Sequence, residues 1–324
     1  MDLKDRNKLV LGTRGSALAL WQSNFVASRL SEIAGIEIEI KKIRTKGDKI
    51  LDAPLAKIGD KGLFVKEIEN ELMKGSIDLA VHSLKDMPTA VPRGLSLGAI
   101  LEREDPRDAL ISKSGVGLDQ LPSGTTVATS SLRRRAQLLK YRPDLKLVDV
   151  RGNLDTRVRK MEEGQFGAII LAAAGLKRMG WEDRITERIS PEVSLPAVGQ
   201  GAIVVEIREN DEFVLSLMKH LDHPRTRGAV LAERALMRRL EGGCQIPIGA
   251  LGQVEGGVLR LDAMVASLNG SRLVRDHLEG TADSPEDIGV ALAERLLKLG
   301  ADEILAEVRA SGGVKEPVPN EGIH

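Results

Sequence analysis

Cys244 is the only cysteine among 324 residues. A lone thiol cannot form an internal disulfide or supply a multi-cysteine metal site, so its chemistry is that of a single nucleophile or attachment point. Residues 224–240 predict a helix that Gly242 and Gly243 end. A thiol beyond the negative end of a helix dipole is disfavoured as a thiolate, which leaves room for a thiol alkylated once and then kept. The alternative is a small buried apolar side chain.

Arginine and hydroxyl side chains recur where predicted strands turn into helices. Backbone N–H groups at a helix N-terminus, combined with guanidinium forks, favour binding of carboxylates. N-capping alone explains any one of the hydroxyls but not arginine at every strand end, where α/β proteins place their ligands. The residues at these ends are Arg14 and Ser16, then Ser131, Arg133 and Arg134, then Arg151, Gly152 and Asn153 with Arg157 one turn further on.

Lys85 and Asp86 follow another short strand, in a loop restricted by Pro88. An aspartate in this position can orient N–H donors or stabilise a cation that develops on a substrate. The alternative is a local surface ion pair, and the spacing of the two residues does not decide between them.

The charge distribution favours a local anion site over a surface coated for nucleic acid. The chain has 47 basic and 47 acidic residues, yet residues 133–159 hold nine basic and three acidic side chains, a net charge of +6. A solvated helix face would explain Arg133 to Arg135 taken alone. Aromatic residues make up only 2% of the chain, which leaves few surfaces for stacked bases.

The composition predicts a cytoplasmic protein with two or three domains. Apolar residues form 42% of the chain, but no run approaches the roughly 20 that a membrane span needs. The first residues, Met-Asp-Leu-Lys, lack the apolar stretch of a signal peptide.

Hydrophobic periodicity predicts two α/β regions followed by an α+β region. Residues 102–108 and 195–201 are the expected boundary and hinge. The predicted strands are 8–13, 36–43, 78–81, 125–129, 145–150, 168–172, two strands flanking residues 255–257, and one near 272–278; the predicted helices are 16–33, 63–74, 132–141, 153–163, 224–240 and 285–309.

These motifs resemble the porphobilinogen deaminase (hydroxymethylbilane synthase) family of tetrapyrrole biosynthesis, from about residue 8 to 310. The resemblance is carried by long motifs in order: Gly12–Leu20, Pro54–Phe64, Ala80–Pro88, Glu102–Asp108, Thr129–Arg134, Arg151–Asn153, Leu195–Ala202 and Leu240–Gly249. No position expected to carry chemistry departs from the family pattern.

The resemblance implies two α/β lobes like those of periplasmic binding proteins, with a hinge, plus a small C-terminal α+β domain. The implied limits are 1–103 with 201–220 for lobe 1, 104–200 for lobe 2, and 221–324 for the domain that carries Cys244. It implies a monomer that binds neither nucleic acid nor membrane. The glycines and lysines of residues 44–61 would permit that segment to close over the cleft.

The implied cofactor is a dipyrromethane held by Cys244 through a thioether. It serves as the primer for head-to-tail condensation of four porphobilinogens, with release of ammonia and finally of hydroxymethylbilane. Asp86 matches the catalytic carboxylate, and no metal is implied. The implied cofactor-binding residues are Cys244, Lys85, Asp86, Ser131, Arg133, Arg134, Arg151 and Gly152, and the implied substrate-binding residues are Arg14, Ser16, Arg151, Arg157 and Arg178.

Three other functions are weighed against this one. A non-enzymatic two-lobed anion-binding protein shares the predicted lobes, but it does not need a cysteine-bearing third domain. A regulator with a lobed ligand domain needs a DNA-reading element, and no helix-turn-helix precedes the first strand. A thiol enzyme needs a cysteine–histidine pair, and neither His82 nor His220 lies in a nucleophile motif.

Overall fold

The computed structural model describes residues 6–49, 62–241 and 246–313, which form three sheets with their helices. The strands are β1 (Lys8–Thr13), β2 (Glu37–Lys42), β3 (Leu79–Ser83), β4 (Leu95–Ile100), β5 (Asp108–Ser112), β6 (Thr126–Ala128), β7 (Lys146–Val148), β8 (Ala168–Ala172), β9 (Glu187–Arg188), β10 (Ile203–Arg208), β11 (Ile248–Glu255), β12 (Val258–Ala266) and β13 (Leu273–Thr281). The helices are α1 (Ala17–Ala34), α2 (Lys46–Lys49), α3 (Lys66–Met73), α4 (Leu132–Tyr141), α5 (Leu154–Glu162), α6 (Ala173–Arg178), α7 (Glu212–Met218), α8 (Pro224–Arg239), α9 (Pro285–Leu296) and α10 (Asp302–Val308).

The two lobes have the same sheet architecture. Lobe 1 has the strand order β2-β1-β3-β10-β4, with β1 parallel to β2 and β3, and β10 antiparallel to both of its neighbours. Lobe 2 has the order β7-β6-β8-β5-β9, with β6 parallel to β7 and β8, and β5 antiparallel to both of its neighbours. Strands β1 and β6 are therefore equivalent, and their carboxyl ends lie where α/β sheets place ligands.

The beginning of α1 shows how the sequence exposes one of these strand ends. Ser16 has extended backbone angles, and its side chain accepts a hydrogen bond from the backbone N–H of Ala19 at 3.3 Å, so it caps the helix. Gly35 ends the helix in the left-handed conformation, with φ of 65°. The predicted capping by Ser16 is confirmed, and it places Arg14 in the turn between β1 and α1.

The chain crosses twice between the lobes, because β10 returns to lobe 1 after the strands of lobe 2. The two crossing segments are bonded to each other: the N–H of Glu104 donates to the carbonyl of Gly201 at 3.2 Å. Gly201 has φ of 90°, and a Cβ at this position would lie 2.4 Å from the Glu104 carbonyl oxygen. Only glycine fits this approach, so the glycine of the predicted hinge has a steric reason.

The C-terminal domain is an antiparallel sheet, β11-β12-β13, covered by α8 and α9. Leu236, Leu261 and Leu292 are fully buried where these elements meet. The prediction of one continuous helix over 285–309 is wrong, because Gly300 has φ of 99° inside a π-helical turn at Leu297–Ala301 that separates α9 from α10. Left-handed backbone at a glycine interrupts the helical ladder there.

The predicted fold class is confirmed: two α/β lobes of the same topology precede a small α+β domain. The exact domain limits stay a prediction. Residues 50–61, most of the segment expected to close over the cleft, lie outside the described residues.

Candidate active site

A small pocket of about 50 Å³, open to solvent, lies at the carboxyl ends of β1 and β3 in lobe 1. Three of the predicted site residues line it: Arg14, Ser16 and Asp86. Asp86 ends a short 3₁₀ turn that continues from β3, and its side chain is partly buried. The fold therefore brings together an arginine, a helix N-terminus and a carboxylate that lie about 70 residues apart in the sequence.

Lys85 lies beside Asp86 and faces charges from lobe 2. Its side chain is exposed to solvent, yet the protein around it lowers the pKa of Lys85 to about 8 by desolvation. Asp86 opposes this lowering, whereas the positive charges of Arg134 and Arg157 add to it. Water that reaches the exposed ammonium group would weaken the lowering. The charges that act on Lys85 therefore come from both lobes.

Arg157 brings positive charge from lobe 2 towards Asp86. Burial, with smaller contributions from the charges of Arg134 and Arg151, lowers the pKa of Arg157 to about 10, and Asp86 acts in the opposite direction. Its Nε donates to the backbone carbonyl of Gly152 at 2.8 Å. The planar guanidinium group of Arg157 has the fork of donors that suits a carboxylate.

Arg151 and Gly152 form the strand end that supports Arg157. Burial lowers the pKa of Arg151 from its ordinary value, and Asp149 opposes this shift. Gly152 has φ of 111°, and a Cβ there would lie 2.6 Å from the Thr156 side chain. Glycine is therefore required for this turn into α5, whereas the predicted cofactor-binding role of Gly152 stays a prediction.

Arg14 already has a carboxylate partner within the protein. Its Nε and Nη2 donate to Asp48 at 3.1 and 2.5 Å, and its guanidinium carbon lies 4.1 Å from the centroid of the Phe64 ring. Both side chains of the ion pair are about one-fifth exposed. Burial acts to raise the pKa of Asp48, but Arg14 and hydrogen bonds from Thr45 lower it below its ordinary value.

Arg133 and Arg134 do not line the pocket; they converge on a carboxylate that the sequence analysis did not single out, Asp108. Arg133 Nη1 donates to Asp108 at 2.7 Å and to the Leu195 carbonyl at 2.5 Å, and Arg134 Nε donates to Asp108 at 2.9 Å. Both arginines are at least 94% buried, and Asp108 is fully buried. Their binding of cofactor carboxylates stays a prediction, and in this structure their main partner is internal.

The environment of Asp108 keeps it ionised. Burial acts to raise its pKa, but the charges and hydrogen bonds of the two arginines lower the pKa far below its ordinary value. Ser194 and Gln200 of the second crossing segment also donate to Asp108, each at 2.9 Å. Asp108 thus links the start of β5 to the hinge.

Ser131 and Arg178 have other local roles. Ser131 caps α4, and its side chain accepts a hydrogen bond from the N–H of Arg134 at 3.4 Å. Arg178 is 8% exposed, donates to the Gly201 carbonyl at 2.6 Å, and lies 6.0 Å from the Trp21 ring of lobe 1. Burial lowers the pKa of Arg178 to about 10. These contacts place Arg178 at the junction of the lobes, and its substrate-binding role stays a prediction.

Cys244 lies outside the described residues, so its position relative to the pocket stays a prediction. The flanking described residues are Glu241, after α8, and Ile246, which is 4% exposed. The sequence analysis missed a second buried carboxylate on α8, Glu233, which binds Arg103 Nη1 at 2.5 Å and accepts from the N–H of Gly199 at 2.7 Å. A charged residue inside an apolar helix face was the available signal.

Comparison with protein families adds an independent observation. Residues 9–216 match the family model described as porphobilinogen deaminase, dipyromethane cofactor binding domain, and residues 228–298 match porphobilinogen deaminase, C-terminal domain. This chain belongs to the porphobilinogen deaminase family. The family assignment from the sequence motifs is confirmed, and with it an enzyme whose family carries a dipyrromethane cofactor.

Curated relatives match nearly the whole chain. Porphobilinogen deaminases from Pelotomaculum thermopropionicum and Carboxydothermus hydrogenoformans are each 54% identical over 94% of this chain and 98% of their own length. The Geobacter sulfurreducens protein is 55% identical over 93% of this chain and 95% of its own length. These relatives support the enzyme and give no support to a non-enzymatic anion-binding protein.

Solved structures overlap the chain only loosely. The L-cystine solute receptor of Neisseria gonorrhoeae has a TM-score of 0.39 at 15% identity and covers 72% of this chain and 93% of its own. The VFT2 domain of Bordetella pertussis BvgS has a TM-score of 0.40 at 16% identity, covering 67% of this chain and 87% of its own. Such scores carry no argument about function.

The described residues were also compared with the requirements of a membrane-spanning helix and of a metal site. No described helix is long and apolar enough to cross a membrane. Within the same residues, no group of three or more histidine, cysteine, aspartate or glutamate side chains could hold a metal ion.

Proposed function

We propose that this protein is a transferase that condenses four porphobilinogens head to tail on a covalent dipyrromethane and releases hydroxymethylbilane for tetrapyrrole biosynthesis. The observation that supports this most directly is the pocket lined by Arg14 and Asp86, whose carboxylate acts electrostatically on Arg157 of lobe 2, in a chain whose family match covers residues 9–216. Cytoplasmic location and a monomeric state stay predictions.

The cleft suits a ligand rich in carboxylates. The exposed Lys85 adds a second positive charge beside Asp86, and the pKa of Arg157 is lowered because its burial is not offset by enough negative charge. Acetate and propionate groups of linked pyrroles would supply that charge and would themselves be costly to bury unpaired. We therefore assign cofactor carboxylates to Lys85 and Arg151, and substrate carboxylates to Arg14 and Arg157. Bound through Cys244, the dipyrromethane supplies a nucleophilic pyrrole carbon.

Asp86 stabilises the positive charge that develops as ammonia leaves porphobilinogen. In each cycle the bond between the aminomethyl carbon and nitrogen of porphobilinogen would break, the bound dipyrromethane would supply the free pyrrole carbon for the new bond, and the proton displaced from that carbon would leave with the ammonia as ammonium. A carboxylate preorganised beside pyrrole N–H groups lowers the barrier because it needs no reorientation when charge appears. Arg14 and Arg157, on opposite lobes, orient the incoming ring through its carboxylates.

The test uses the intact mass of purified wild-type protein and of the Cys244→Ser variant, before and after incubation with porphobilinogen, with ammonia release measured in parallel. We expect wild type to carry the mass of two linked pyrroles, and the variant to carry none and release no ammonia. One result would overturn the proposal: wild-type protein stays unmodified after incubation with porphobilinogen or with preformed hydroxymethylbilane, and it releases no ammonia from porphobilinogen.

A further inference from the structure

A buried imidazole–carboxylate pair lies directly behind the pocket of Asp86. His82 lines that pocket, and its Nε2 lies 3.2 Å from Glu206 Oε2. The His82 side chain is 3% exposed and that of Glu206 is 0% exposed. His82 pairs with Val204, and Glu206 with Ala80, across β3 and β10, so the two side chains share one sheet face as diagonal neighbours.

The second oxygen of Glu206 is buried and has no hydrogen-bond partner among the described residues. A buried carboxylate oxygen without a donor is costly. Glu69 lies on α3, a helix that contacts β10. In its protonated form, the carboxyl group of Glu69 is a hydrogen-bond donor of the kind that this oxygen of Glu206 lacks. Glu69 is 7% exposed, and burial together with the negative charge of Glu206 raises its pKa to about 7.

Helix α8 contacts the loop that follows Asp86 through Arg234. Arg234 of α8 is 2% exposed, and its Nη2 donates to the carbonyls of Pro88 and Thr89 at 2.7 and 3.1 Å. Burial lowers the pKa of Arg234 to about 10, and the charge of Glu206 opposes this shift. The helix that leads to Cys244 thus holds the backbone that follows Asp86.

We infer that Glu69, His82, Glu206 and Arg234 act as one buried polar unit that positions the Asp86 loop against the C-terminal domain. Within it, the carboxyl proton of Glu69 serves the unpartnered oxygen of Glu206, and His82 is the member that reaches the pocket. These are positioning residues. Their effect on catalysis rests on the proposed function, whereas their effect on folding does not.

The unit has a defined dependence on pH. The charged groups that act on Glu69 are Glu206 and His82 on the facing strands and Lys66 on its own helix, and Arg234 approaches Glu206 from α8. A carboxyl whose folded-state pKa lies above its ordinary value of 4.5 favours the folded protein while it stays protonated. This contribution is full below about pH 4.5 and is lost as pH rises towards 7.

The first experiment measures thermal unfolding of the holoprotein from pH 5.5 to 8 for wild type, Glu69→Gln, Glu69→Ala and Glu71→Gln. Glutamine keeps a donor at every pH, so Glu69→Gln should lose less stability than wild type as pH rises. Glu69→Ala should be less stable than Glu69→Gln throughout. Glu71, on the same helix, pairs with Lys41 at 2.7 Å at the surface, so Glu71→Gln should follow the wild-type slope.

Two results would overturn the inference. One is a Glu69→Gln curve parallel to wild type over this pH range, and the other is a Glu69→Ala variant as stable as Glu69→Gln. Since unfolding needs no turnover, either result stands whether or not the chain condenses porphobilinogen.

The second experiment measures kcat, KM and cofactor mass for Arg234→Met and Arg234→Lys. Displacement of the Asp86 loop should lower kcat of Arg234→Met between about 10- and 100-fold while the cofactor mass stays normal. Lysine should restore part of that loss. Normal kcat in Arg234→Met contradicts the positioning role, whereas absent turnover in wild type points to failure of the proposed function.

Discussion

Arg14 and Arg134 follow equivalent strands of the two lobes, β1 and β6, and each binds an aspartate, yet their environments differ. The Arg14–Asp48 pair is about one-fifth exposed and borders an open pocket. The Arg134–Asp108 pair is almost fully buried and shares its carboxylate with Arg133, Ser194 and Gln200. Arginines at equivalent strand ends therefore form ion pairs that differ in burial, and of these two pairs the Arg14–Asp48 pair is the one that solvent can reach.

The largest expected effect lies in the open pocket. Replacing Asp86 with alanine removes the preorganised carboxylate, so kcat should fall at least ~10²-fold while the covalent cofactor remains. The measurement is ammonia release together with intact mass. Asp183, an exposed aspartate of lobe 2, provides the matched control, and Asp183→Ala should retain wild-type turnover. Near-normal turnover in Asp86→Ala would remove this residue from the mechanism.

The next effect separates the two ion pairs by stability. Asp108→Ala leaves two buried guanidinium groups without their carboxylate and should lower the free energy of unfolding by roughly 3–5 kcal/mol. Asp48→Ala breaks a partly exposed pair and should lower it by less than about 1 kcal/mol. Denaturant unfolding of both variants measures the difference. Equal losses of unfolding free energy in the two variants would mean that burial does not set the contributions of these two ion pairs to stability.

Replacing Arg134 or Arg14 with leucine tests whether the two ion pairs also differ in their effect on substrate binding. Arg134→Leu should destabilise the protein by about 2–4 kcal/mol because Asp108 keeps its charge but loses a partner. Arg14→Leu should change stability little and raise KM for porphobilinogen by roughly 10-fold, as expected for loss of a charge-assisted contact. Steady-state kinetics and unfolding curves for both variants give the answer. An unchanged KM in Arg14→Leu excludes Arg14 from substrate binding.

The smallest effect concerns competition for Arg14. If Asp48 occupies the site of a substrate carboxylate, Asp48→Asn should lower KM for porphobilinogen by up to about 5-fold, the range of an exposed ion pair. Thr45→Val is a useful companion, because it removes a hydrogen bond to Asp48 at 2.8 Å and leaves the ion pair in place. A higher KM in Asp48→Asn would show that Asp48 orients Arg14.

The sequence predicted what local patterns determine. Periodicity and caps located β1, α1 and the strand end at Arg14, because hydrophobic spacing and a serine cap are local properties. It did not reveal Asp108 or Glu206, since their roles depend on partners 25 and 124 residues away. For the same reason, the sequence did not show that Asp108 is the internal partner of Arg133 and Arg134. Their predicted binding of cofactor carboxylates stays a prediction.

Because the chain crosses twice between the lobes, the two sheets are completed in a set order as the chain is synthesised. Strand β10 lies between β3 and β4, so the lobe 1 sheet lacks a central strand until residue 208 has left the ribosome. At about 5–20 residues per second, the roughly 100 residues between β4 and β10 delay its completion by about 5–20 s. During that interval lobe 2, whose strands are contiguous in sequence, can complete its sheet first. Nascent β3 and β4 then have unpaired edges, which are the feature that favours incorrect strand pairing.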